Sequence, residues 1–193
     1  MVKNIILDIG GVIFDDSTKN INNVLNEDST ELCNKVYGKA FKDCVLGNLE
    51  VSDYIEKYRY DEDYDKIKYI LNKDNLKISY PLMKENYDYI CNLKNRGYNL
   101  YILSNIARES YEYVMASTNI DKVFNGGVYS FQEHLVKPDE KIFKLLVNRY
   151  NLNKEETIFF DDRERNVIAG NNYGIKSFVF KSVDDIEREL CND

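Results

Sequence analysis

Several residue types that define common classes of site are scarce in this chain of 193 residues. Tryptophan is absent, there are two prolines, and His134 is the single histidine. The four cysteines, Cys33, Cys44, Cys91 and Cys191, form no CxxC pair. The sequence therefore lacks the sulfur and nitrogen ligands of a zinc site and shows no disulfide framework. These absences predict reduced thiols and a cytoplasmic protein.

Long apolar runs and a surplus of basic residues are missing as well. No stretch approaches the roughly 20 apolar residues that a membrane span needs, and no apolar leader precedes the first predicted strand. Acidic residues outnumber basic ones by 33 to 26, for a net charge of -7. Because polyphosphate binding requires clustered Lys and Arg, we expect no nucleic acid and no membrane among the partners. A small anion held in one pocket is compatible with this charge.

Hydrophobic periodicity divides the chain into two kinds of sequence. From residue 16 to residue 80, apolar residues recur at helical spacing without a strand pattern, which predicts a small helical module. From Pro81 onward, helical and strand patterns alternate, with Pro81 itself expected at the first position of a helix. We therefore predict an α/β fold, with a Rossmann-like, doubly wound parallel sheet from residues 1–15 and 81–193 and an inserted helical segment at 16–80.

Polar residues stand where three of the predicted strands end, and one lysine precedes a proline nearby. Taken singly, each has an ordinary explanation: a turn aspartate, a helix-capping serine, or a solvated lysine before a turn. In a parallel sheet, however, the carboxyl ends of neighbouring strands form one ligand-binding edge, so we expect these side chains to meet. The residues are Asp8, Ser104, Asn105, Lys137, Asp161 and Asp162.

Together these side chains supply the parts of phosphoryl transfer. They offer carboxylates for a hard divalent cation, a carboxylate nucleophile, a hydroxyl donor, and an ammonium group for phosphoryl oxygens. Asp161 and Asp162 follow four apolar residues, and two adjacent carboxylates repel each other. A bound cation would remove that repulsion.

The chain resembles the haloacid dehalogenase superfamily, most of whose members are magnesium-dependent phosphatases. Four motifs spread over nearly the whole chain carry the resemblance, and segment 16–80 stands where that superfamily inserts a small helical cap. The Asp-x-Gly opening and the Asp-Asp-x-x-x-Asn close resemble the bacterial sugar-1-phosphate phosphatases and the phosphatase domain of soluble epoxide hydrolases. The motifs are LDIGGV at 7–12, LSN at 103–105, KP at 137–138 and FFDDRERN at 159–166.

The resemblance implies a role for each matching residue. Asp8 would be the nucleophile that forms an aspartyl-phosphate. Mg²⁺ would be held by Asp8, by the backbone carbonyl of Gly10 and by Asp162, with waters completing the octahedron. Asp161 and Asn166 would orient bound water and a lysine.

The remaining matches would bind the substrate, which the resemblance implies is a small phosphorylated metabolite such as a sugar phosphate. Ser104 and the backbone of Asn105 would contact the phosphoryl oxygens, and Lys137 would neutralise them. In the inserted segment, the loop at 47–50 could line the pocket. Tyr37, Tyr54 and Tyr58 could stack on a sugar ring, although tyrosines are spread throughout this chain.

Gly10 departs from the family pattern, because the usual phosphatase has an aspartate there that protonates the leaving group and later activates water. General acid-base catalysis contributes roughly 10²–10⁴-fold to rate. Three interpretations follow. The enzyme acts on good leaving groups such as anomeric sugar phosphates or acyl phosphates; or Asp15, Asp16 or His134 substitutes; or the domain only binds phosphate and metal.

Other activities fit the sequence less well. A hydrolytic dehalogenase needs no metal and usually has a bulky residue where Gly10 stands. A phosphomutase shares the aspartyl-phosphate step but normally keeps the acid. In receiver domains the acidic pair precedes the acceptor aspartate, whereas here it comes last.

Overall fold

A computed structural model describes residues 1–191 of the chain. Within them, five strands form one sheet in the order β3-β2-β1-β4-β5, and every neighbouring pair is parallel. The predicted α/β fold with a doubly wound parallel sheet is therefore confirmed. The strands are β1 (Asn4–Leu7), β2 (Asn99–Ser104), β3 (Gly126–Tyr129), β4 (Thr157–Asp161) and β5 (Lys176–Val179).

The chain reverses its direction of travel across the sheet at β1, which pairs with β2 on one side and with β4 on the other. Leu7 is level with Ile102 of β2 and with Phe160 of β4. The three strands consequently end side by side. This is the topological switch point at which doubly wound sheets bind their ligands.

Helices cover both faces of the sheet, because alternate strand residues point to opposite sides. Ile5 and Leu7 belong to a buried cluster with α7, α8 and α13, whereas Ile6 packs in a second cluster with α11. The sheet is thus buried on both faces, as its uninterrupted apolar strands predict. The helices after the insert are α7 (Lys84–Asn95), α8 (Arg108–Ser117), α9 (Ile120–Val123), α10 (Ser130–Glu133), α11 (Glu140–Arg149), α12 (Glu164–Tyr173) and α13 (Val183–Cys191).

Between β1 and α7 the chain forms six short α-helices, and residues of the first five share a buried cluster. Tyr54 lies at its centre, fully buried, and its hydroxyl donates a 2.7 Å hydrogen bond to the carbonyl of Val36. The helices are α1 (Thr18–Leu25), α2 (Thr30–Val36), α3 (Lys42–Val45), α4 (Val51–Glu56), α5 (Tyr64–Leu71) and α6 (Leu76–Ser79). We call this segment the insert; its predicted limits at residues 16 and 80 remain a prediction.

The two chain segments that connect the insert to the sheet run beside each other. The amide of Asp15 donates to the carbonyl of Pro81, and that of Met83 donates to Ile13, both at 2.9 Å. The prediction that Pro81 begins a helix is therefore wrong, because the segment containing it is extended and α7 starts at Lys84. Pairing with the outgoing segment replaces the helical turn that the proline alone would favour.

No helix in the described part of the chain is both long and apolar enough to cross a membrane.

Candidate active site

The end of β1 places Asp8 at the switch point, where it is buried. One carboxylate oxygen accepts a 2.7 Å hydrogen bond from the amide of Ile9, and the chain then turns so tightly that the Ile9 carbonyl accepts from Ile13. Gly11 has a φ of 68°, and a Cβ there would lie 2.7 Å from the Cγ of Asp162. The glycine therefore permits both the turn and the close approach of a second carboxylate.

Lys137 is the cation of the site, and its side chain is fully buried. Its Nζ lies 2.8 Å from Oδ2 of Asp8 and 2.5 Å from Oδ2 of Asp161, and it also donates to the carbonyl of Leu103 at 2.6 Å. Burial would lower the pKa of Lys137, but the two carboxylates outweigh that effect and raise it. The lysine is therefore charged, and the alternative that it is an ordinary solvated residue is wrong.

Asn105 fixes the backbone that carries this lysine. Its Oδ1 accepts from the amide of Lys137 at 2.8 Å, while its Nδ2 donates to the carbonyl of Lys137 at 2.9 Å. This pair joins the end of β2 to the loop before α11. The family resemblance implied a role only for the backbone of Asn105, and this use of its side chain was not predicted from the sequence.

Asp161 ends β4 and is held by several donors. Its carboxylate accepts from the Asn166 side chain at 2.9 and 3.0 Å, and from the amide of Arg163 at 2.9 Å. Burial would raise the pKa of Asp161, but Lys137 and these hydrogen bonds lower it below its usual value. Asp161 is accordingly ionised and forms a buried ion pair with the lysine.

Asp162 has the opposite surroundings. Its Oδ1 is buried and, within residues 1–191, accepts no hydrogen bond. Burial, followed by the charge of Asp16, raises its pKa to about 6. For Asp8, burial is again the main cause of a pKa raised to about 7, with Lys137 acting against it and Asp161 adding to it. The mutual repulsion of these carboxylates and the unpartnered oxygen of Asp162 fit a cation.

The geometry of the carboxylates also fits a metal ion. Asp8, Asp161 and Asp162 each offer one oxygen, and these oxygens all lie within 4.8 Å of one another. A set of hard oxygen ligands is suited to Mg²⁺ or another hard divalent cation. The chain thus has an acidic cluster that could hold a metal.

Ser104 is the last residue of β2 and is buried beside this cluster in the sheet. The alternative that it caps the next helix is wrong, because Ala107 is the N-cap of α8. Its hydroxyl is left for another purpose at the ligand-binding edge.

His134 and Tyr54 lie elsewhere. Nδ1 of His134 is 2.7 Å from the carbonyl oxygen of Leu46, in the seam between α10 and the insert. No hydrogen bond within residues 1–191 joins it to the carboxylate cluster, so the geometry gives no support for an acid-base role. The prediction that Tyr54 stacks on a sugar is wrong, since its ring is buried in the insert.

Two charged residues approach the site from the side of Gly10. Asp16 is close enough that a Cβ on Gly10 would lie 3.0 Å from its Oδ2. Nη2 of Arg163 donates to the same Asp16 oxygen at 3.0 Å, and its Nε lies 3.8 Å from Asp162. Asp16 was a candidate from the sequence, but Arg163 was not. Its position directly after the two aspartates of the fourth motif could have indicated that it lies at the site.

Solved structures of similar fold include a HAD family enzyme of Bacteroides thetaiotaomicron in a magnesium complex. It superposes with a TM-score of 0.78 at 18% identity, covering 98% of each chain. A predicted HAD-like hydrolase of Porphyromonas gingivalis gives a TM-score of 0.73 at 22% identity, covering 100% of this chain and 99% of that one. L-2-haloacid dehalogenase of Xanthobacter autotrophicus gives 0.63 at 17% identity, covering 100% and 83%. At these identities the likeness shows the fold.

Among curated proteins, the chain is similar to drimenol cyclase drtB of Aspergillus calidoustus, at 25% identity over 208 residues. The match takes in all of this chain but 36% of the relative, so the chain spans about a third of that protein's length. The family model of haloacid dehalogenase-like hydrolases matches residues 5–180, which include all four motifs. The chain therefore belongs to the haloacid dehalogenase-like hydrolases.

Proposed function

We propose that this hydrolase is a magnesium-dependent phosphatase that acts on a small phosphorylated metabolite through an aspartyl-phosphate on Asp8. The observation that carries the proposal is the environment of Asp8 at the end of the central strand. One of its oxygens is 2.8 Å from the buried Lys137, and the carboxylates of Asp161 and Asp162 adjoin it. A carboxylate between a fixed ammonium group and a metal-binding pair is suited to attack phosphorus.

Asp8, the backbone carbonyl of Gly10, and Asp162 would hold the magnesium ion. The unpartnered buried oxygen of Asp162 supports this assignment. A further structure of the Bacteroides thetaiotaomicron enzyme is a complex with magnesium and inorganic phosphate, at a TM-score of 0.73 and 18% identity. When bound, the ion would neutralise charge on the carboxylates and on the phosphoryl oxygens.

The chain's own residues would orient and neutralise the phosphoryl group. An Asp8 oxygen forms a bond to phosphorus, and the bond from phosphorus to the leaving group breaks. The Lys137 ammonium, which Asp161 holds in place, balances negative charge on the phosphoryl oxygens. The Ser104 hydroxyl and the backbone amide of Asn105 would donate to the same oxygens from the end of β2.

The insert would act as the cap that encloses the substrate. Besides its two chain connections, it is fastened to the core near 45–51. The Ser130 hydroxyl donates to the carbonyl of Val45 at 2.6 Å, and a carboxylate oxygen of Glu109 accepts from the amide of Val51 at 2.8 Å. A cover held on two sides suits a small substrate, because it excludes water from the reacting group.

Two other functions use the same residues. A phosphomutase would pass the phosphoryl group to a second substrate, and a binding domain would hold phosphate and metal without turnover. The similarity in fold to dehalogenases supports neither of these two functions. Dehalogenation itself does not require a metal, whereas the acidic cluster of this chain could hold one. We give the phosphatase precedence because Asp8 adjoins both the buried Lys137 and an acidic cluster that could hold a metal, and because a phosphomutase normally keeps the acid that Gly10 lacks.

Hydrolysis of p-nitrophenyl phosphate tests the proposal directly. We expect activity that requires magnesium, disappears in EDTA, and is abolished by Asp8→Asn. The matched control is Asp121→Asn, an exposed aspartate on α9, which should leave the activity unchanged. Full activity in EDTA, or in Asp8→Asn, would overturn the mechanism.

A screen of phosphate release from sugar phosphates, acyl phosphates and nucleotides separates the phosphatase from the alternatives. Release from one compound class identifies the substrate. No release from any of them, with magnesium still bound, would favour the binding domain or the phosphomutase over the phosphatase.

A further inference from the structure

The space above Gly10 is occupied, although the residue has no side chain. A Cβ at this position would lie 3.0 Å from Oδ2 of Asp16 and 3.5 Å from the Tyr80 hydroxyl. The backbone of Gly10 does not have the positive φ that Gly11 has, so its conformation does not demand glycine. The carboxylate of Asp16 is therefore the group that a side chain at this position would meet first.

Arg163 holds Asp16 in this position. Its Nη2 donates to the Asp16 oxygen that faces Gly10, at 3.0 Å, and its Nε lies 3.8 Å from Asp162. The guanidinium thereby links Asp16 to the metal-binding set.

Backbone contacts fix the chain on both sides of Asp16. The amide of Asp15 donates to the carbonyl of Pro81 at 2.9 Å, and the Asp15 carboxylate accepts from the amide of Ser17 at 2.9 Å. Asp16 therefore stands between two anchored neighbours, at the point where the chain leaves the core for the insert. Its place over Gly10 is a property of the fold rather than of one flexible side chain.

Tyr80 lies beside the same space, because its hydroxyl is 3.5 Å from the position that a Cβ on Gly10 would take. Burial raises the pKa of this phenol well above its usual value, and the charges of Asp8, Asp16 and Asp162 raise it further. The ring is fixed by stacking on Phe14, with centroids 5.2 Å apart. One phenol thus experiences all three carboxylates.

We propose that Asp16 is the base that accepts a proton from the water that hydrolyses the aspartyl-phosphate, in place of the residue that Gly10 replaces. The inference rests on the proposed function. In the family pattern, the side chain two residues after the nucleophile performs this step, and here the carboxylate at that location belongs to Asp16.

Proton transfer then involves different groups in the two steps of the reaction. In the first half, Asp8 bonds to phosphorus, and the leaving group departs with the electron pair of its bond and takes a proton from solvent. In the second half, a water oxygen bonds to phosphorus while its proton passes to Asp16. The bond from phosphorus to Asp8 breaks, phosphate leaves, and Asp16 returns the proton to solvent.

A rapid-mixing experiment on the full chain with magnesium and p-nitrophenyl phosphate tests the assignment. We expect Asp16→Asn to release the first equivalent of p-nitrophenol within about threefold of the wild-type rate, because this leaving group needs no acid. Steady-state turnover should fall roughly 10²–10⁴-fold. The phosphorylated chain should accumulate, as seen by intact-protein mass spectrometry.

Asp15→Asn is the matched control, since it alters the neighbouring aspartate in the same segment; it should behave as the wild type. Asp16→Glu should recover part of the lost turnover, and thermal unfolding of each variant checks the fold. The assignment would be overturned if Asp16→Asn slowed release of the first equivalent of p-nitrophenol as much as it slowed steady-state turnover. Unchanged steady-state turnover would overturn it as well. A wild-type chain that forms neither phosphoenzyme nor free phosphate would overturn the proposed function, and this inference with it.

Discussion

Lys137 and Asp8 form an ion pair from which solvent is almost entirely excluded, with 2.8 Å between Nζ and Oδ2. The lysine side chain is 0% exposed and that of the aspartate 9%. Since a buried charge without a partner is costly, each residue depends on the other for its charged state. The pair therefore bears on folding as well as on the proposed chemistry.

Replacing Lys137 by methionine should destabilise the protein strongly. The change leaves Asp8 and Asp161 without their shared cation, and loss of one partner from a buried ion pair costs about 3–5 kcal/mol. Urea unfolding monitored by circular dichroism measures this loss. The matched control is Lys84→Met, which removes the exposed pair with Asp88 on α7 and should cost less than about 1 kcal/mol. Similar losses in both variants would contradict the structural role of Lys137.

The pH dependence of stability should differ between metal-free and magnesium-loaded protein. Folding raises the pKa of Asp8 from 3.8 to about 7 and that of Asp162 from 3.8 to about 6. Without metal, the folded state binds these protons more tightly than the unfolded state does. The contribution of these two carboxyl groups to the free energy of unfolding should therefore be largest near about pH 4 and should decline as the pH rises to about pH 7.

Magnesium should reverse that trend, because it binds the deprotonated carboxylates. We expect its affinity, measured by calorimetry, to rise between about pH 5 and about pH 7, by up to about tenfold per pH unit for each proton displaced. In Asp162→Asn, binding should weaken and the pH dependence should become shallower. An affinity independent of pH would show that these carboxylates are not the ligands.

Gly11→Ala should impair magnesium binding as well as stability. A methyl group there would lie 2.7 Å from the Cγ of Asp162, and the φ of 68° is unfavourable for alanine. The backbone strain alone costs about 1–2 kcal/mol. Gly97→Ala provides the control, because its φ of 94° is also positive but nothing lies within 4 Å of the added Cβ. Both variants should lose stability, and only Gly11→Ala should lose affinity for magnesium.

Leaving-group chemistry should govern the rate of the first step, since Gly10 offers no acid. A sugar 1-phosphate has a better leaving group than the corresponding 6-phosphate, so we expect the 1-phosphate to be hydrolysed faster. Initial rates of phosphate release from the two isomers provide the comparison. Equal turnover would argue against a missing acid.

The sequence was sufficient to predict the sheet and the residues at its edge. Apolar strands buried on both faces carry a strong periodic signal, and Asp8, Ser104 and Asp161 stand at the strand ends where such sheets bind ligands. Local patterns were less reliable where tertiary contacts decide the outcome. Pro81 lies in an extended segment because Asp15 pairs with it, and no local preference encodes that partner.

The arrangement around Gly10 was beyond sequence reasoning for a similar cause. Asp16 reaches the space above the glycine only because the chain turns after Ile9 and is then held beside Pro81. Arg163, which fixes Asp16, is 147 residues away in the chain. Spacing alone could nominate Asp16 as a substitute but could not choose it over Asp15.

The paired backbone segments at residues 13–15 and 81–83 give the insert a two-stranded pivot. Asp16 is the first residue beyond that pivot, whereas Asp8 and Gly10 follow β1 and Lys137 lies in the loop before α11. Any rotation of the insert about the pivot must change the distance from Asp16 to Gly10. If Asp16 is the base, a movement of the insert would therefore alter both access to the site and hydrolysis of the phosphoenzyme.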